Sequence, residues 1–206
     1  MYILTSMRIV LITLILSIFG FQAQAQKADP AIRAKVLAAR AEAIQVIREY
    51  SENANYDAEM RKTAGLMADL LEKAGIIPAV GVSLKNCEKN VDMEANTGAI
   101  SQVISLCHYG ISSSENEIIQ IFIHEAYHLY EGVYYLPEYN FEFYEKLRGD
   151  PGGTIWPQDL SDASEKRASK IELEIMQKTY GCVFSVTTYY KDLLGLKKGK
   201  DFFVCK

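Results

Sequence analysis

His124-Glu125-Ala126-Tyr127-His128, which follows Ser113-Ser114-Glu115-Asn116-Glu117 and an apolar run, decides how the rest of this chain is read. Two imidazoles at i and i+4 on a helix project from one face, close enough to share a metal ion, and the intervening Glu lies where it can handle a proton. The chain has only three histidines, so this one turn holds most of its imidazole chemistry. Ser114 and Glu117 form the S-x-x-E capping box of a helix start. Ile118, Ile119, Phe122, Ile123, Ala126, Leu129 and Tyr130 recur at helical spacing and make a wide apolar face. A helix from about Ser114 to Glu131 is therefore predicted. Its opposite side carries Glu117, Gln120, His124, Glu125, His128 and Glu131, and the plain competing reading is a solvated polar stripe.

The N-terminus bears on the compartment. Arg8, the apolar run Ile9 to Phe21 and Ala23-Gln24-Ala25 reproduce the charged, hydrophobic and small-residue parts of a secretory signal peptide. The expectation is a signal peptide over 1–25, a mature chain starting near Gln26, and one domain over 26–206 in a secreted or periplasmic protein. The apolar run is shorter than the roughly 20 residues of a spanning helix and ends in an A-x-A site, so no stable membrane anchor is expected after cleavage. No cysteine follows that site, which argues against a lipoprotein. The net charge is −4 with no basic block, and nucleic acid is not an expected partner. All four cysteines, Cys87, Cys107, Cys182 and Cys205, lie beyond the leader. An even number in an exported chain points to two disulfides, with three pairings open. Cys87 with Cys107 and Cys182 with Cys205 are expected, because each closes a short loop and the second pins the C-terminal tail. No C-x-x-C occurs, which argues against sulfur ligation of zinc, and free buried thiols are the main alternative.

Elsewhere the patterning is mixed. Ile32, Val36, Ala39, Ala43, Ile47 and Tyr50 give a helical stripe after Pro30, and a second helix from about Asp57 to Lys73 carries Ala64, Met67, Leu70 and Leu71 before Gly75. The two read as a helical hairpin. Val80, Val82 and Leu84 alternate as in a half-buried strand, and Ala99 to Tyr109 reads as another, ending just before the histidine-bearing helix. Gly132 to Leu160, with Pro137, Pro151, Pro157 and Gly152-Gly153, reads as an irregular loop or lid. Ser161 or Asp162 is expected to cap a helix running to about Lys178, and Cys182 to Lys206 mixes patterns too much to assign. The fold class is α+β.

A strand, a turn, a helix with His-Glu-x-x-His and a later helix bearing a Glu resemble the zincin metallopeptidases of the gluzincin kind. The resemblance covers roughly Ala99 to Lys178. It implies that Ala99 to Tyr109 is the sheet edge on which an extended peptide lies, and that a Glu in an E-x-x-A pattern is the third zinc ligand. Glu165-Lys166-Arg167-Ala168 matches that pattern. Glu131 and Tyr134 stand where the metzincin pattern has Gly and His, and the N-E-x-x-S-D signature of thermolysin-like enzymes is absent.

Coordination chemistry asks for a third donor independently, since a catalytic zinc keeps three protein ligands and an open position. The remaining histidine, His108, sits at the end of the expected strand beside Cys107 and reads as a surface or hydrogen-bonded residue. A carboxylate is therefore favoured. Glu165, Ser169 and Glu172 share one helix face, and small Ala168 lets another helix approach, so Glu165 is the first choice and Glu172 the second. A solvated helix carboxylate is the plain alternative for either. The expected protein is a zinc metallopeptidase acting on a peptide or protein substrate. His124, His128 and Glu165 hold Zn2+, Glu125 is the general base, and Glu131 either orients a ligand or faces solvent. Tyr127, Tyr130, Tyr134, Tyr135, Tyr139 and Tyr144 cluster near the motif, and none is assigned. The alternative is an exported binding or inhibitory protein on a zincin scaffold, against which the intact Glu125 argues, since a structural site needs no base.

Overall fold

The computed structural model describes residues 29–78, 95–98, 102–134, 158–186, 190, 194–197 and 203–205. The expected signal peptide, the Val80 to Leu84 strand, and most of the expected loop between Gly132 and Leu160 lie outside them, as do Cys87, Tyr135, Tyr139 and Tyr144.

Helices α1 (Pro30–Glu52) and α2 (Ala58–Lys73) form the hairpin that the sequence predicts. Both starts are set by aspartates: Asp29 accepts from the Ala31 amide, and Asp57 from the amides of Glu59 and Met60, satisfying donors that a helix start leaves unpaired. Val36, Ala39, Ala43, Val46, Ile47 and Tyr50 of α1 are buried, as are Ala64, Met67, Ala68 and Leu71 of α2. Alanines along the seam let the helices approach closely. Arg40 closes the far end by donating to the carbonyls of Leu71, Glu72 and Ala74.

Strand β1 (Gly75–Pro78) follows α2 directly, then come β2 (Ala95–Gly98) and β3 (Val103–Leu106). The strand order is β1-β3-β2, with β1 parallel and β2 antiparallel to β3. A Cβ at Gly75 would stand 3.2 Å from the Val103 side chain, so a small residue suits this crossing. Two expectations are corrected here. Within Ala99 to Tyr109 the described strand occupies Val103–Leu106, and among the described residues it is the central strand, with β2 at the edge. His108 opens a short helix, α3 (His108–Ser112), instead of ending a strand. Lys35 donates to the carbonyls of Ile111 and Ser113, a long-range stabilisation of that turn that no local pattern announces.

Helix α4 (Glu115–Tyr134) carries the histidines and packs on α1, α2, β2 and α5 (Gln158–Tyr180). Its capping box forms as read: Ser114 amide and hydroxyl both donate to the Glu117 carboxylate, and the Glu117 amide donates back to Ser114 Oγ. Helix α4 outruns its expected end at Glu131 by a turn, and α5 begins at Gln158, before Ser161 and Asp162. Gly181, at φ 69°, ends α5 in the left-handed conformation that favours glycine. The chain beyond it is tied by the Cys182–Cys205 disulfide, as expected, and by a bridge between Val183 and Val204. Cys107 is also disulfide-bonded. The described residues are α+β, mostly helical, around one apolar core to which α1, α2, β3, α4 and α5 all contribute.

Candidate metal centre

Helices α4 and α5 pack side by side, and Ala168, fully buried on α5, allows the approach. That contact brings His124, His128 and Glu165 together with their donor atoms converging. His124 Nε2 lies 3.1 Å from His128 Nε2 and 3.0 Å from Glu165 Oε2, and His128 Nε2 lies 3.4 Å from Glu165 Oε1. Bonds of about 2.0–2.1 Å at tetrahedral angles hold donor atoms about 3.3–3.4 Å apart, and the separations here, with the two rings meeting different oxygens of Glu165, are close to that size.

The outer face of each ring fixes which nitrogen faces inward. His124 Nδ1 stands 2.9 Å from Glu172 Oε2. A carboxylate oxygen accepts from Nδ1–H, so Nε2 is the atom left to face Glu165 and His128, as a lone pair whenever the ring is neutral. On the other ring, Ser164 Oγ lies 3.2 Å from His128 Nδ1 while its hydroxyl donates to Glu131. The Ser164 oxygen is thereby left to accept from His128 Nδ1–H, and the second Nε2 lone pair also faces inward. Arg167 in turn donates to Glu131 through Nε at 2.6 Å and through a second guanidinium nitrogen. Each imidazole is thus held by a hydrogen-bonded chain that ends in a carboxylate, the arrangement that orients metal-ligating histidines.

Two lone pairs and an anionic oxygen meeting at one point repel unless a positive charge lies between them. The titration behaviour agrees. Burial works against a charged His124 ring, yet hydrogen bonds and charge from Glu165 and Glu172 outweigh it and raise its pKa well above the ordinary value. Burial likewise pushes the Glu165 carboxyl up, but His124 and His128 hold it well below the usual carboxylate range. The donor set of two imidazoles and one carboxylate, the three such donors that converge among the described residues, could hold a metal ion.

Glu125, between the two histidines, is buried at 6% exposure, and the hydroxyl of Thr97 on β2 donates to its carboxylate. Edge strand β2 therefore touches the motif directly. Glu172, the second-choice ligand, stands behind His124 at its Nδ1, while Glu165 stands at the Nε2 atoms. Glu131 is buried and linked to His128 through Ser164, so it is not a solvent-facing residue. Ser169, expected on this face, is fully buried, and its hydroxyl has no hydrogen-bond partner among the described residues. Tyr127, Tyr130 and Tyr134 line up along α4 with ring centroids 5.8 and 5.1 Å apart.

The sequence gives no role to Gln120, which it places on the polar side of the histidine helix, or to Arg167, inside the E-x-x-A match, and does not single out Thr97, Ser164 or Tyr190. Ser164 precedes the E-x-x-A match and was within reach of a motif argument. Thr97 and Tyr190 come from distant parts of the chain and gave no signal. No family model, curated protein or solved structure matches this chain.

Proposed function

We propose that the protein is an exported, zinc-dependent metallopeptidase of zincin-like, gluzincin-type architecture. The observation that carries the reading is the convergence of both Nε2 atoms and the Glu165 carboxylate, each ring backed by a hydrogen-bonded carboxylate, beside the buried acid Glu125. Zinc bound to His124, His128 and Glu165 would polarise a carbonyl and make bound water a stronger acid. Glu125 takes the proton from the attacking water and hands it to the leaving amine. Thr97, by donating to one Glu125 oxygen, turns the carboxylate and leaves the other oxygen for that proton. Among the described residues no strand pairs with the outer side of β2, and that edge offers backbone groups to an extended peptide. Among them, too, no helix is long and apolar enough to cross a membrane. The Cys182–Cys205 disulfide and the leader-like N-terminus support export.

The test is zinc per chain, followed by digestion of a broad peptide library with and without chelator. One zinc and chelator-sensitive cleavage are expected, and Glu125→Gln should keep fold and zinc while lowering turnover by roughly 10² or more. Zinc bound without any cleavage would replace the peptidase reading with that of a binding protein.

A further inference from the structure

We infer that the C-terminal segment closed by the Cys182–Cys205 disulfide is a positioning element of the metal centre, in which Tyr190 and Gln120 hold Glu172 and, through it, the His124 ring. The inference rests on the reading of that centre as a zinc site.

Glu172 is a charged side chain only 2% exposed, so its oxygens need donors. One comes from His124 Nδ1. The other is the hydroxyl of Tyr190, which lies beyond α5 and is itself fully buried. The Tyr190 oxygen accepts from Gln120 Nε2 at 3.2 Å. Gln120 stands one turn before His124 on α4 and is saturated by the same segment. Its Oε1 accepts from the amides of Phe184 (2.7 Å) and Ser185 (3.0 Å), and its Nε2 also donates to the Ser185 carbonyl at 3.0 Å. A glutamine that makes both kinds of bond to one stretch of backbone fixes the register of that stretch against the histidine helix.

What holds this stretch in place is close at hand. The Val183 amide donates to the Phe203 carbonyl and the Cys205 amide to the Val183 carbonyl, both at 2.8 Å, with the disulfide alongside. Val183 is fully buried but Phe203 is 74% exposed, so the 203–205 side of this two-bond bridge faces solvent and without the covalent tie can fray. Opening it frees residues 184 and 185, loosens Gln120 and Tyr190, and leaves Glu172 with one donor fewer. The His124 ring then loses the partner that keeps Nδ1 protonated and Nε2 aimed inward.

The experiment measures the zinc dissociation constant by competition with a chromogenic chelator, alongside the visible spectrum of the cobalt-substituted protein. It compares wild type, Tyr190→Phe, Cys182→Ser with Cys205→Ser, the three changes together, and Glu172→Gln. Tyr50→Phe is the control, because Tyr50 is an equally buried tyrosine whose hydroxyl reaches α5 at Glu174, away from the centre. Tyr190→Phe and the cysteine pair should each weaken zinc binding by roughly 10-fold, and Glu172→Gln by 10- to 100-fold, the range for partners behind a ligand. The triple variant should be no weaker than its weaker parent, since both act through one element. Tyr50→Phe should bind as wild type. Wild-type zinc affinity and cobalt spectrum in Tyr190→Phe, which retains the disulfide, would overturn the inference, as would an equal loss in Tyr50→Phe. A wild-type protein that binds no zinc would instead sink the zinc-site reading, and this inference with it.

Discussion

The α1–α2 hairpin and the α4–α5 pair are both packed helices with apolar faces in the core, yet only the second pair also buries polar and charged side chains. Between α1 and α2 the buried residues are Val, Ala, Ile, Met and Leu with a single tyrosine, while Arg48, Asp69 and Glu72 pair on the outside where solvent screens them. Every buried polar or charged residue among those described, Gln120, Glu125, Glu131, Ser169 and Glu172, lies on α4 or α5. Burying such groups costs stability unless each finds a partner, and breaking one pairing leaves an uncompensated charge. The first interface is built as a scaffold. The second spends stability on a centre whose charges are held ready, and its hydrogen-bonded chains limit that cost.

The largest expected effect breaks the second interface at its middle. Glu165→Gln removes the anionic donor, and the two imidazoles should then lose zinc on dialysis against a mild chelator, whereas Glu172→Gln, which keeps all three ligands, should retain it under the same dialysis. Zinc retained in Glu165→Gln and lost in Glu172→Gln would exchange the places of the two carboxylates. The hairpin offers the converse. Leu71→Ala should cost about 2–5 kcal/mol of stability by leaving a cavity, read from denaturant unfolding, with zinc per chain unchanged. Zinc lost along with stability would show that scaffold and centre are not separable. A smaller effect sharpens the contrast inside the site. Thr97→Val removes one hydrogen bond to a buried carboxylate, worth about 1.4 kcal/mol, and should lower turnover about tenfold with zinc content intact. Thr97→Ser should restore it. Equal turnover in the Val variant would take β2 out of Glu125 positioning.

Local chemistry in the sequence is enough to set the helices and their faces: Asp29, Asp57 and the Ser114–Glu117 box start them, and apolar spacing chooses the side they bury. The sequence alone also put His124, Glu125 and His128 on one turn, because i and i+4 are neighbours on any helix. It singled out Glu165 through a motif, but could not say on which nitrogen of His124 that carboxylate or Glu172 would stand, since both lie on one face of α5. That choice came from how α5 sits against α4, with Ala168 at the contact. The edge role of β2, the central place of β3, the link from Thr97 to Glu125 and the chain from the C-terminal segment to His124 were likewise decided only in three dimensions. They join residues far apart along the chain, and local patterning carries no information about which distant groups meet a buried charge.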